Sequence, residues 1–389
     1  MRTIAVIGAS LAGLSAARAL RAQGFDGELT VVGAEAHRPY DRPPLSKEFL
    51  AGEIDAHTLA LELDDENLCA RWLLGAHATR LDAAGGAVEL EDGTRISADG
   101  VVIATGARAR QWPGSEAMAG VHVLRTLDDA LALRDELRDG ARLAVIGAGF
   151  IGAEVASTAR KLGLEVTVVE AAPTPLAGPL GAQLGAAVAR LHTEHGTTLR
   201  CGVGVAGLTG SDRVTGVELA DGTHLPADVV LVGVGAIPNI EWLHGGPVEL
   251  GNGVLCDEGG VTSIPHVVAV GDCASWHEPL LGRRHRVEHW TAAMERPAIA
   301  VSTLLAGGLH QGTSAKPPYF WSDQYGKRIQ FAGIAHPDDE ITVEDGVFDG
   351  TSFLVVYRRE GLPVAVLGVD RPRLFTRWRR RLASLSAAS

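Results

Sequence analysis

A glycine-punctuated unit that occurs twice constrains this chain more than any other feature. Residues 3–35 read TIAVIGASLAGLSAARALRAQGFDGELTVVGAE, and residues 142–170 read RLAVIGAGFIGAEVASTARKLGLEVTVVE. Each is an apolar run, a glycine turn, a stretch with helical period and a second apolar run, which together make one βαβ unit. An unspaced run such as Ile4-Ala5-Val6-Ile7 fits a strand covered on both faces, as in a parallel sheet with helices on either side. The fold class is therefore α/β.

In Gly147-Ala148-Gly149-Phe150-Ile151-Gly152 a GxGxxG fingerprint sits between strand and helix, and Glu170 ends the next strand 23 residues after the first glycine. Gly147 permits the turn, Gly149 lets the backbone approach a pyrophosphate, and Gly152 lets helix and strand pack. The helix N-terminus, which includes Ile151, offers unpaired N–H groups to phosphates. Glu170 would accept from a ribose 2′-hydroxyl and repel a 2′-phosphate. No Arg or Lys occurs from 170 through 181, so NADH is favoured over NADPH. The first copy runs Gly8-Ala9-Ser10-Leu11-Ala12-Gly13, with Ser10 in place of the middle glycine. Glu35 is its candidate ribose ligand, although the register sets Gly33 opposite Glu170. Two copies predict two Rossmann-like dinucleotide-binding domains, one for a resident cofactor and one for a dinucleotide that comes and goes. FAD plus NADH satisfies that. The plainer alternative is that the glycines only permit helix packing.

At 389 residues the chain should hold two or three domains. Apolar runs 101–104 and 229–232 each lead into a glycine turn, ATGAR with Thr105 and Gly106, and GVGAIPN with Gly235; both look like returns between domains. Hairpins are expected around Asp92-Gly93 and Asp221-Gly222. Beyond Lys316-Pro317-Pro318 the pattern changes to aromatic, alternating strands at 330–333, 353–357 and 364–368, read as a separate C-terminal α+β domain. The expected division is 1–110 and 236–315 for FAD, 111–235 for NAD, and 316–389 for the C-terminal domain. A net charge of −12 argues against nucleic acid and anionic membrane as partners. The N-terminus enters an apolar strand pattern at Thr3, with no room for a secretion signal, and no run is apolar enough to span a membrane, so a cytoplasmic protein is expected. The four cysteines, at 69, 201, 256 and 273, are too far apart for a redox loop or zinc knuckle and read as buried small hydrophobes.

Further motifs make the reading specific. Residues 38–47 read RPYDRPPLSK, ATGAR follows at 104–108, then Val270-Gly271-Asp272, Glu288-His289-Trp290 and WSDQ at 321–324. Over essentially its whole length the chain resembles the FAD-dependent NADH:ferredoxin reductases of cytochrome P450 and Rieske oxygenase chains, which have a glutathione-reductase-like fold. The resemblance implies that hydride passes from NADH to the flavin and that electrons leave singly to an iron–sulfur ferredoxin. It implies Arg42 at the FAD pyrophosphate, Pro44 and Lys47 against the isoalloxazine, and Asp272 accepting from a ribitol hydroxyl. Lys47, Glu154 and Trp321 are the implied catalytic set: Lys47 near N5, Glu154 beside the nicotinamide and able to pair with Lys47, and Trp321 over the flavin edge. Glu288, His289 and Trp290 would approach from the other side. Pro297 stands where the family often has Gly.

Each residue has an ordinary alternative. Lys47 and Glu154 would serve equally as a plain ion pair, Asp272 as a helix N-cap and the tryptophans as core. Six arginines, Arg371, Arg373, Arg377, Arg379, Arg380 and Arg381, stand out against the acidic balance. Leu374, Trp378, Leu382 and Leu385 recur there at helical spacing, which predicts a helix docked by one face with solvated arginines on the other. Two other functions remain open: a flavin- and NADH-binding redox sensor or scaffold, and a related NADH oxidase or disulfide reductase. The last needs a cysteine against the flavin, and residues 38–50 contain none.

Overall fold

Both glycine-bearing repeats fold as parallel βαβ units with the same register. In the computed structural model, which describes residues 1–63, 66–115, 117–278, 282–309, 316–347 and 351–386, strand Thr3–Ile7 pairs in parallel with Glu28–Gly33 and Gly100–Ile103. Arg142–Ile146 pairs likewise with Glu165–Glu170 and Val229–Val232. The helices Leu11–Ala22 and Phe150–Lys161 follow the turns, each 12 residues long. Gly8 N–H donates to Val32 O at 2.7 Å and Gly147 N–H to Val169 O at 2.8 Å, so the two turns are tied to their sheets by the same bond.

The chain divides into two compact units. The first comprises Met1–Asp41, Ala60–Arg108 and Ile237–Ala315. Its parallel sheet runs Val267–Ala269, Gly100–Ile103, Thr3–Ile7, Glu28–Gly33, Ala70–Leu74. The central strands are buried on both faces, as their unbroken apolar runs require. The helix Trp290–Leu305 continues through Pro297 and packs on the first nucleotide helix. The second unit comprises Arg42–Leu59, Ala109–Ala236 and Lys316–Ser389. Its parallel sheet runs Thr198–Cys201, Glu165–Glu170, Arg142–Ile146, Val229–Val232, Val121–His122. The chain thus leaves the first unit after the ATGAR turn and re-enters it within GVGAIPN. Both expected hairpins form, Val88 opposite Ile96 and Val217 opposite Leu225, and each gains a third antiparallel strand. Among the described residues no helix is long and apolar enough to cross a membrane.

The C-terminal strands carry a cluster on each face, one formed with their own helix and one shared with a helix earlier in the second unit. A five-stranded antiparallel sheet runs Tyr319–Gln324, Lys327–Gly333, Leu362–Val369, Phe353–Arg359, Glu340–Gly346. Strand period sends Phe353, Val355 and Tyr357 to one face, where they share a cluster with Leu184, Val188 and Leu191 of the helix Ala182–Glu194. Leu354 and Val356 face the other way, onto the helix Pro372–Ser386. That helix buries Trp378 and Leu382 with Leu374 partly buried beside them, as expected, but Phe375 joins the apolar face and Leu385 is exposed. Arg371 is spent on an ion pair with Asp345 and Arg379 lies over the Tyr319 ring, so neither is simply solvated. Cys256 and Cys273 are buried as expected, but Cys201 is half-buried and Cys69 is exposed, at a positive φ of 45°.

Strands Tyr319–Gln324 and Lys327–Gly333 are joined by Tyr325 and Gly326, with φ of 51° and 72°, the doubly left-handed turn that matches hairpin twist. Tyrosine is costly there, and its side chain offsets the strain. The hydroxyl lies 2.8 Å from His192 Nδ1 and 2.9 Å from Thr197 Oγ1, and the ring stacks on His195. His192 is 2 % exposed, and burial pushes it down to about 4. An unfolded histidine titrates near 6.5, so the unfolded state takes up this proton first as pH falls. The contribution is complete above about pH 6.5 and is lost progressively toward pH 4, by up to about 3 kcal/mol. Thermal unfolding followed between pH 7.5 and 4.5 should show this acid sensitivity, and His192→Asn should flatten it; an unchanged slope in the variant would remove His192 from the account.

Candidate functional site

The glycines show which positions the protein itself needs and which it leaves open. A Cβ on Gly8 would stand 1.9 Å from Ala104 O, and one on Gly147 would stand 2.4 Å from Gly233 O; both residues also have positive φ. Gly13 and Gly152 are equally closed, at 1.8 and 2.2 Å from Gly8 O and Gly147 O. These four let each helix and the returning loop press onto the turn. Gly149 differs: it starts its helix in extended backbone, and a Cβ there would meet nothing within 4 Å. Packing therefore gives no reason for glycine at 149, whereas a phosphate lying against the backbone does. Ser10 occupies the same place before Leu11–Ala22, also in extended backbone. Both turns fit a dinucleotide.

Beyond the turns the two copies part. Glu170 ends its strand with Oε2 accepting from Ala148 N–H and Oε1 from Ala172 N–H, each at 2.9 Å, so its carboxylate braces the fingerprint turn. In the first copy a Cβ at Gly33 would sit 2.5 Å from the Ala9 Cβ, which explains why no carboxylate stands there. Glu35, two residues on, accepts from the Tyr40 hydroxyl. In the first unit Gly271, at φ +72°, approaches the first nucleotide helix so closely that a Cβ would be 2.8 Å from the Ala12 Cβ. This sets Asp272 in a short 3₁₀ turn, Gly271–Cys273. The Thr105 hydroxyl donates to Asn239 O at 2.6 Å, and Asn239 Nδ2 returns a bond to Thr105 O, next to Gly106 at φ +65°. Trp290 Nε1 donates to Asp41 at 2.8 Å, and His289 is pushed by burial down to about 4, so it is neutral near pH 7. Glu288 pairs with Arg286 at 2.7 Å, and the same guanidinium donates to Asp272 O at 3.0 Å.

The second unit gathers Lys47 and Glu154. Arg42 caps the 3₁₀ turn Pro43–Ser46 and donates to Arg125 O at 2.6 Å; Pro44 lies within that turn and accepts Lys47 N–H. Lys47 Nζ meets Glu154 Oε2 at 2.7 Å and Pro43 O at 2.8 Å. Ser46 Oγ donates to the same carboxylate oxygen at 2.5 Å, and Thr158 Oγ1 holds Ser46 O at 2.7 Å. Glu154 is only 3 % exposed, and Ser322 donates to its other oxygen at 2.6 Å. Trp321, on the opposite face of the strand, stacks on Tyr319 with ring centres 5.9 Å apart and carries the Arg328 guanidinium over its ring. Ile151 is exposed in the first turn of its helix, and Gly235, at φ +100°, accepts from Arg110 N–H.

Sequence reasoning missed Ser46, Ser322 and Gln324 around Glu154, and Asp41 and Arg286 around Trp290 and Asp272. Ser322 and Gln324 carried a usable signal, two small or amide side chains at strand period beside Trp321; Arg286 carried none. No cluster of metal-ligating side chains occurs among the described residues.

Comparison with known proteins gives the family. The family model for pyridine nucleotide-disulphide oxidoreductases matches residues 2–296, and that for the reductase C-terminal domain matches residues 319–388. The ferredoxin reductase component of chlorobenzene dioxygenase from Cupriavidus sp. (strain PS12) is 39 % identical over 375 residues, 96 % of this chain and 90 % of that protein. Rhodocoxin reductase from Rhodococcus erythropolis is 38 % identical over 390 residues, 98 % of this chain and 90 % of its own length. Among solved structures, putidaredoxin reductase in its covalent complex with putidaredoxin superposes with a TM-score of 0.93 at 34 % identity, covering 98 % of this chain and 93 % of that one. The chain is an oxidoreductase of the pyridine nucleotide-disulphide oxidoreductase family and belongs to its ferredoxin reductase group.

Proposed function

We propose that this protein is an NADH-dependent ferredoxin reductase holding FAD at the first glycine turn and NADH at the second, and that its ferredoxin feeds a cytochrome P450 or a Rieske oxygenase. The flavin, when bound, supplies the exchange of one hydride for two single electrons. The observation that carries the reading is a buried ammonium–carboxylate pair, Lys47 and Glu154, with Glu154 on the helix that opens with the NADH fingerprint. Lys47 offers a fixed positive charge where negative charge is to be added, and burial makes that charge count for more. Asp272, held at its carbonyl by Arg286, offers an acceptor for a ribityl hydroxyl. Trp290, tied to Asp41, and neutral His289 would approach the flavin as well. Trp321 would cover the flavin edge.

A disulfide reductase would need a thiolate close to this pair. The second unit holds one cysteine, Cys201, and burial followed by the charge of Glu170 pushes its thiol up, away from the reactive form. In the first unit Cys273, beside Asp272, is pushed up by burial as well. Relatives named as ferredoxin reductase components support the same choice of acceptor.

Coenzyme preference tests the second turn. NADH should exceed NADPH by at least roughly tenfold in kcat/KM, about 1.4 kcal/mol. Glu170→Arg should narrow or reverse that ratio, and a wild type that prefers NADPH would remove Glu170 from the ribose. The choice of acceptor tests the rest. Purified protein, assayed by stopped flow, should pass electrons to at least one ferredoxin. Added salt should slow that transfer, by screening the attraction of the C-terminal arginines for an acidic ferredoxin, while leaving NADH-driven bleaching of the flavin absorption nearly unchanged. Rapid turnover of oxygen or a small disulfide with no ferredoxin accepted, or a single reduction that then stalls, would favour the oxidase or the sensor.

A further inference from the structure

We infer that Ser322, aimed by Gln324, is a positioning residue for the Lys47–Glu154 pair, so that the C-terminal sheet determines where the Lys47 ammonium stands. The consequence for hydride transfer rests on the reductase reading above; the geometry does not. Glu154 has two oxygens and almost no solvent. Oε2 accepts from Ser46 at 2.5 Å and from Lys47 at 2.7 Å, and Oε1 accepts from Ser322 at 2.6 Å. A buried carboxylate gains from every donor it keeps, and an oxygen left without one costs its full desolvation. The torsion that turns a glutamate carboxylate is broad, so an anchor on Oε2 alone leaves the group free to rotate. Lys47 sits at the end of a flexible four-carbon stem and would follow it.

Gln324 gives the anchor its direction. A serine hydroxyl has one proton and two lone pairs. Gln324 Nε2 donates to Ser322 Oγ at 3.0 Å, filling a lone pair and leaving the proton for Glu154. Ser322 is 0 % exposed and Gln324 1 %, so water does not compete.

The strand is locked in this register along one face of the helix Phe150–Lys161. Phe320 packs on Phe150 with ring centres 4.7 Å apart, Ser322 meets Glu154, and Tyr325 N–H donates to Ser157 Oγ at 2.7 Å. Helix positions 150, 154 and 157 share a face, as do strand positions 320, 322 and 324. A slip of one residue would turn Trp321 or the anionic Asp323 toward Glu154.

The chain has only four lysines, Lys47, Lys161, Lys316 and Lys327, so the placement of Lys47 can be read directly. Holoenzyme is treated with an acetylating ester, and acylation of each lysine is followed by mass spectrometry in wild type, Ser322→Ala and Ser322→Thr. Acylation needs the free amine, so a lysine held by a carboxylate reacts slowly. In Ser322→Ala, labelling of Lys47 relative to Lys161 should rise at least about fivefold, the size expected of one lost hydrogen bond of ordinary strength. The limiting rate of NADH-driven flavin bleaching should fall by about the same factor, with the NADH dissociation constant within about twofold. Ser322→Thr keeps the hydroxyl and should restore both. Unchanged Lys47 labelling in Ser322→Ala overturns the inference, and raised labelling with an unchanged bleaching rate overturns its role in the reaction. Should Ser322→Ala fail to fold, Gln324→Leu reads the same two quantities with the same outcomes. Labelling needs no electron acceptor, so a wild type that reduces no ferredoxin would count against the reductase reading alone.

Discussion

A contact between two backbones, closed to every residue but glycine, underlies both nucleotide-binding halves of the chain. Gly8 rests against Ala104 O and Gly147 against Gly233 O, each at a distance no Cβ tolerates. Those contacts bring the returning strand level with the turn, and Gly13 and Gly152 bring the helix down onto the same point. The helix N-terminus, its free N–H groups and the loops ATGAR and GVGAIPN therefore converge where phosphate chemistry is possible. Each converged turn is built once per repeat, which is why the two sheets share their register pair for pair.

What the sequence made legible follows from how local each cause is. Positive φ at a turn glycine and an unbroken apolar strand are decided by neighbours a few residues away, so both repeats, both hairpins and the C-terminal helix can be read directly. The Lys47–Glu154 pair could be anticipated only through resemblance, because its partners lie 107 positions apart. Ser322 and Arg286 were missed because they satisfy groups that the fold alone brings to them. The last helix docks by the expected face, but its edge could not be read, since Leu385 and Phe375 are equally apolar and only the sheet beneath decides which is covered. Cys69 broke a rule of averages: cysteines are usually buried, but here the backbone turns left-handed at an exposed site.

Burying Glu154 also explains why the strand Tyr319–Gln324 lies against the helix Phe150–Lys161. A carboxylate inside protein needs a counter-charge and donors together. Lys47 supplies the charge and one donor, and Ser46 supplies a second from the same turn. Both act on one oxygen, and the other must be met from elsewhere. The strand Tyr319–Gln324 meets it, and once fixed there its odd-numbered face carries Tyr319 and Trp321 as a stacked pair. Polar and aromatic roles are thus two faces of one strand, and neither can be shifted without the other.

The two repeats also show how similar turns come to hold different ligands. At the strand end the second copy has Glu170, whose carboxylate braces the turn. The first copy has Gly33, pressed against Ala9, and its acid is displaced two residues to Glu35, where Tyr40 holds it. At the turn the difference is reversed: Gly149 leaves the space above the backbone open, and Ser10 adds a hydroxyl to it. An open turn with a braced carboxylate suits a dinucleotide that enters and leaves, because little has to be displaced. On the proposed reading, a turn with an added hydroxyl and Asp272 near it would place more polar contacts around one molecule. More contacts slow departure, since affinity differences lie mainly in the off-rate. Resident and exchanging dinucleotides would then be separated by a few side chains on a shared backbone.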